Sequence, residues 1–155
     1  MINKEKDLMD IITDTFYLAK KVKEDYLKKG PYPELSLTEI NVIEAVSKEQ
    51  FPTMGAVADR LRVTVGTLTT NVKSIIKKGF LTKERYEKDH RFTILSITQK
   101  GYEALAVHNE FAKTLSDFYA KRMTDEQFNW VQETFLGVQE GLTVVVVVVI
   151  HLITL

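Results

Sequence analysis

No cysteine occurs in the 155 residues. That excludes a disulfide framework and thiolate metal ligation, and it suits a reducing cytoplasm, the location expected here. Histidine is scarce. His90, His108 and His151 form no i, i+4 pair, and neither Glu103 nor Glu110 shares a clear helical face with His108. A zinc site therefore has little to build on, and none is expected. No nucleophile–base grouping stands out and no glycine-rich phosphate loop follows a strand, so no catalytic residues are assigned and an enzyme is not expected. The terminal apolar stretch, Val144 to Leu155, falls short of the roughly 20 residues a bilayer-spanning helix needs. The opening "MINKEKDLMDIITD" mixes charges of both signs and does not read as a signal peptide. Membrane association is not expected.

What is present is a globular composition, 45% hydrophobic and 27% charged. It suits one domain with a full core, or a core plus a dimerisation element. Net charge is zero, yet unevenly spread. Residues 60–91 hold nine Lys and Arg against three Asp and Glu, leaving twelve basic and eighteen acidic residues elsewhere. One basic segment in a neutral chain points to a polyanion partner on one surface, the plain alternative being a solvated basic face.

Apolar spacing divides the chain into elements. Leu8, Ile11, Ile12, Thr15, Leu18, Ala19, Val22 and Tyr26 recur at three- and four-residue steps, predicting a helix over 5–28 that "KKGPYPEL" ends. "SLTE" has the capping-box form, with Ser36 as N-cap and Glu39 three residues on, and opens a second helix with Ile40, Ile43 and Val46 inside. A third helix runs from about Thr53 to Leu61. After the tight connection "RVT" a fourth runs from about Val65 to Lys78, with Leu68, Val72, Ile75 and Ile76 as its core stripe and Gly79 as its stop. The period then changes. Phe80 to Arg85 and Phe92 to Ile97 are expected strands around the charged tip "YEKDHR". Thr98 caps a fifth helix reaching about Met123, and "TDEQ" at Thr124 to Gln127 opens a sixth, with Phe128, Val131, Phe135, Val138 and Leu142 as a seam for another helix.

The expected fold is mainly α with a small β-hairpin wing. Residues 36–98 form a winged helix-turn-helix, and residues 1–35 and 99–155 form the dimerisation helices. The fourth helix is unusual in carrying many small polar residues, "TVGTLTTN". In a helix-turn-helix the second helix enters the major groove, where its face must be slim and able to hydrogen-bond. Threonine supplies a hydroxyl and a methyl suited to thymine. Thr64 is the expected N-cap, Gly66 allows close backbone approach, and Thr67, Thr69, Thr70 and Lys73 lie away from the core stripe. The alternative is a small-residue helix packed on a neighbouring helix. On the hairpin, Lys83, Arg85, Lys88 and Arg91 give a lone tip more positive charge than packing requires. An Arg there suits the narrow, electronegative minor groove. Asp89 would repel phosphate, so its expected role is to hold Arg91 or another nearby Arg by a charge-assisted hydrogen bond, the alternative being an ordinary turn residue.

The run "DHRFTILSITQKG" together with "TVGTLTTNVKSIIKKGFL" resembles the MarR family of transcriptional regulators, departing at His90, where a second Arg is frequent, and at Asn71, where an apolar residue is. Within that family the fourth helix is most similar to the subgroup that represses fatty-acid-synthesis genes in streptococci and lactococci. The resemblance implies a homodimer on a pseudo-palindromic operator in double-stranded DNA. It also implies a long-chain acyl ligand, with acyl-acyl carrier protein as one form, acting as corepressor, and no required cofactor. The rivals are a MarR-type regulator answering to another small ligand or to a metal, and a winged helix that docks protein.

Two features stay open at this level. Phe111, Phe118, Tyr119, Phe128, Trp130 and Phe135 fit either core and dimer seam or the lining of an apolar cavity. The six-valine run from Val144 fits the buried end of a sixth helix, a sticky tail, or an irregularity of the sequence.

Overall fold

A computed structural model describes residues 7–87, 89 and 91–153, with side chains described as far as residue 145. Among these residues six helices and one hairpin follow in the order α1 (Leu8–Lys29), α2 (Leu37–Lys48), α3 (Met54–Leu61), α4 (Val65–Lys77), β1 (Leu81–Arg85), β2 (Thr93–Ile97), α5 (Gln99–Ala120) and α6 (Asp125–Ile153). The chain divides into two compact units, one reaching to Asn109 and the other starting at Glu110. Among the described residues no helix is long and apolar enough to cross a membrane.

The helix starts are set by local chemistry. The Ser36 hydroxyl accepts the Glu39 amide at 3.2 Å while Glu39 accepts the Ser36 amide at 2.8 Å, a full capping box. Thr53 caps α3 by accepting the Ala56 amide at 3.1 Å, and the same arrangement joins Thr124 and Gln127 at the start of α6. The turn between α3 and α4 is closed by Arg62, a non-glycine residue in the left-handed region at φ 55°. Gly79 takes φ 82° after α4, where only glycine is free of strain. α6 continues as helix along the backbone of the valine run to Ile153.

β1 and β2 pair antiparallel, Leu81 opposite Ile97 and Arg85 opposite Thr93. The segment before α3 adds a partial third rung: Thr53 bridges Ile94, and the Leu95 amide donates to the Pro52 carbonyl at 3.0 Å. Inside the first unit the core gathers Leu35, Ile40, Ile43, Val57, Leu68, Ile75, Phe80, Leu81 and Leu95, each at most 2% exposed. The expected core positions of α2 and α4 are thus buried, with Ile76 only partly so.

Two contacts fix α5 and α4 on that core. Thr98 donates its hydroxyl to the Gly79 carbonyl at 2.7 Å and accepts the Gly101 amide at 3.1 Å, which sets the first turn of α5 against the end of α4. Gly101 is buried there. A Cβ at this position would overlap the Phe80 carbonyl oxygen and stand 2.7 Å from Ile97 Cγ2. Gly101→Ala is expected to destabilise the fold by about 1–3 kcal/mol, read as a fall in the urea midpoint.

Glu39, 5% exposed, is the second anchor. Both its oxygens accept from Lys78 Nζ at 2.7 Å, and Oε1 also accepts the Ser74 hydroxyl at 2.7 Å. Burial alone would raise its pKa. Lys78, the Ser36 amide and the two serine hydroxyls outweigh burial and bring it down from 4.5 to about 2. A carboxyl with a depressed folded-state pKa stabilises fully above its unfolded pKa and loses that stabilisation as pH falls through its folded one. Glu39→Gln is therefore expected to cost on the order of 2–3 kcal/mol at neutral pH. It should also flatten the loss of stability between about pH 4.5 and pH 2, measured by denaturant melts across that range.

Candidate nucleic-acid interface

α4 presents one apolar and one polar side. Leu68, Val72 and Ile75 are buried, whereas Thr64, Gly66, Thr67, Thr70 and Lys73 are exposed. Thr64 is the N-cap, accepting the Thr67 amide at 3.1 Å, and the two hydroxyls lie 2.9 Å apart. Thr69 differs from the rest of the expected face. It is half-buried, and its hydroxyl donates back to the Val65 carbonyl at 2.7 Å. Asn71 likewise turns back, donating to the Thr67 carbonyl at 3.3 Å. The exposed flank is therefore a helix start with its hydroxyls in the first turn and Thr70 and Lys73 one turn on. That arrangement favours anions and hydrogen-bonding partners.

Gly66 has open space around it. A Cβ there would meet only Thr64 Oγ1, at 3.8 Å. Internal packing therefore does not require glycine at this position.

On the wing, Arg85 is exposed at the end of β1. Lys88 and His90 lie outside the described residues. Asp89 and Arg91 form the expected pair. Arg91 Nε donates to the two carboxylate oxygens at 3.0 and 3.2 Å, Nη2 donates at 2.7 Å, and the Arg91 amide donates at 3.1 Å. The bonds from Arg91 hold the Asp89 carboxyl below its usual range, and Asp89 in turn raises Arg91. The Arg91 side chain remains 85% exposed, so it is aimed without being covered. Arg62, Lys77 and Lys83 add exposed cations on the same stretch of chain.

Sequence spacing missed the partner of His108. Burial places its Nε2 3.6 Å from Glu44 Oε2, across from α5 to α2, instead of beside Glu103 or Glu110. Burial lowers its pKa; Glu44 opposes this, and Lys23 and Lys48 add to it. Among the described residues no group of three or more His, Cys, Asp or Glu is placed to hold a metal ion.

This geometry is accompanied by a family match. Residues 19–106, more than half the chain, match the family described as transcriptional regulator SarA/Rot. The chain belongs to the SarA/Rot family. The matched span takes in α2 to β2, and so the whole helix-turn-helix and wing of this SarA/Rot regulator. SarZ of Staphylococcus aureus, an HTH-type transcriptional regulator, is 27% identical over 132 residues, covering 77% of this chain and 86% of SarZ. An HTH-type regulator of Mycobacterium leprae is 29% identical over 75 residues, 48% of this chain and only 52% of that protein. The crystal structure of Streptococcus pneumoniae FabT in complex with DNA has the same fold, with a TM-score of 0.83 at 24% identity over 88% of this chain and 95% of FabT. Solved regulators of the MarR type share that fold as well. The SarA/Rot chain is thus a DNA-binding transcriptional regulator of the winged-helix MarR/SarA kind.

Because Gly66 is free of packing constraint, Gly66→Ala is expected to stabilise the DNA-free protein by about 0.5–1 kcal/mol while weakening duplex binding. Paired thermal melts and gel shifts check the opposite signs.

Proposed function

We propose that this regulator is a homodimeric repressor in which α4 lies in the major groove and the wing reaches the adjacent minor groove of a pseudo-palindromic operator. The observation that carries the reading is the pairing of an exposed, hydroxyl-bearing α4 start with an Arg91 that Asp89 orients yet leaves open. On one face of B-DNA the two recognition helices would stand roughly 34–36 Å apart, or a multiple of that. A cytoplasmic location belongs to the same reading, supported by the DNA-binding family match.

Dimerisation is supported by apolar surface on separate elements. α1 exposes Leu8, Met9, Phe16 and Leu18, and α6 exposes Trp130, Phe135, Leu136 and Leu142. Apolar exposure of this extent marks association surfaces. The aromatic residues Phe118, Tyr119, Trp130 and Phe135 are accordingly read as dimer seam.

The reading extends to control of fatty-acid biosynthesis genes with an acyl-type corepressor, a long-chain acyl group free or on acyl carrier protein. Its support is the likeness of the α4 segment to that subgroup and the shared fold of FabT. The space among Tyr26, Tyr32, Leu35, Ile40 and Val107 is about 10 Å³, room for a water and not for an acyl chain. A ligand at that place would bind a more open conformation, shifting the equilibrium by its preference for that state.

The test is a gel-shift competition on a duplex selected by the protein from random sequence, with and without a long-chain acyl-CoA. Arg91→Ala should weaken binding and reduce the salt slope by about one. Thr70→Ala should cost on the order of 1–3 kcal/mol on the selected duplex and far less on random DNA. Unchanged affinity in Arg91→Ala would remove the wing from the interface, and equal losses on both duplexes would make Thr70 a backbone contact.

A further inference from the structure

Among the described residues, three backbone bonds close the hairpin tip. The Tyr86 amide donates to the Phe92 carbonyl at 3.0 Å, the Asp89 amide to the Tyr86 carbonyl at 3.2 Å, and the Phe92 amide to the Asp89 carbonyl at 3.1 Å. Tyr86 and Phe92 thus stand at the two feet of the loop that carries Asp89 and Arg91. Their rings do not pack into the core. Both lean on one residue outside the hairpin: Phe51 stands 4.8 Å from the Tyr86 ring at 81° and 6.4 Å from the Phe92 ring at 72°. These are edge-to-face arrangements, the favourable geometry for aromatic pairs.

Phe51 sits in the loop from α2 to α3, two residues before Thr53, the N-cap of the first helix of the helix-turn-helix. The following residue, Pro52, accepts the Leu95 amide of the wing strand. Phe51 and Phe92 are 42% and 44% exposed, more than a residue kept for core packing would be.

We infer that Phe51 is a positioning residue for DNA binding: its ring braces the feet of the wing loop against the start of the helix-turn-helix and so fixes where Arg91 stands relative to α4. The inference rests on the reading of Arg91 as a DNA contact. Without the brace, β1 and β2 still pair, but the tip gains freedom to hinge about Arg85 and Thr93. Ordering it on DNA then costs affinity that the rigid wing does not lose.

The test has two arms. In the DNA-free protein, hydrogen exchange is followed at the amides of Tyr86, Asp89 and Phe92 in wild type, Phe51→Ala, Phe51→Leu and Phe51→Tyr. The inference expects about tenfold faster exchange at these amides in the Ala and Leu variants, near wild-type exchange in Phe51→Tyr, and unchanged exchange at core amides such as Ile43 and Ile75. Unchanged tip exchange in Phe51→Ala, or acceleration spread evenly over the core, overturns the brace.

In the second arm, binding to the selected duplex is compared for Phe51→Ala, Arg91→Ala and the double variant. The expected outcome is about tenfold weaker binding for Phe51→Ala, with little further loss when Arg91→Ala is added. Full additivity of two substantial single losses overturns the link to Arg91. An Arg91→Ala variant that binds as wild type removes the wing from the interface, and the exchange arm still decides separately whether Phe51 holds the tip.

Discussion

The carboxylate of Glu39 is the point on which the placement of α4 depends. It opens α2 as half of a capping box, and from the same two oxygens it holds Ser74 and Lys78 at the far end of α4. Lys78 also donates to the Glu34 carbonyl at 2.6 Å, while Lys100 of α5 reaches the Glu34 carboxylate at 2.9 Å and the Lys78 carbonyl at 3.2 Å. Lys100 lies 4.1 Å from the centre of the buried Phe80 ring, a cation–π contact that brings the start of α5 into the same cluster. A buried charge is tolerated only when its bonding capacity is filled, and here the filling comes from the start of α2 and the end of α4. That cluster anchors one end of α4, while the hydroxyls at its other end lie on the side opposite Leu68, Val72 and Ile75 and stay exposed.

The helices were largely legible because their signals are local. Ser36 with Glu39, Thr64 with its first turn, and Thr124 with Gln127 are three-residue relationships, and the structure places each as spacing implies. Leu68, Val72 and Ile75 likewise face inward as the period demands. Periodicity tells which side of a helix is apolar, but it does not say what covers that side. Leu18, Phe135 and Leu142 fit helical stripes as well as Leu68 does, yet they stand on the surface of the single chain.

What spacing could not deliver were the pairs made by folding. Glu39 and Lys78 are 39 residues apart, and His108 finds Glu44 rather than a neighbour on its own helix. By spacing Thr69 stands with the exposed threonines, but it is half-buried and its hydroxyl bonds the Val65 carbonyl one turn back, a local choice that periodicity does not encode. Arg62 gave no warning of its left-handed conformation, since tight turns of this kind usually recruit glycine or asparagine. Phe51 falls just ahead of the third helix in the sequence with no periodic role, and only the folded hairpin gives its ring two partners.

Gly101 has a mechanical meaning beyond its effect on packing. At that point the backbone of α5 rests directly on the Phe80 carbonyl, with no side chain between them. Side chains are the compliant layer of a protein, able to change rotamer and absorb small shifts. Where that layer is missing, α5 and the root of the wing behave as welded parts, and a tilt imposed on the start of the helix passes undamped into the hairpin.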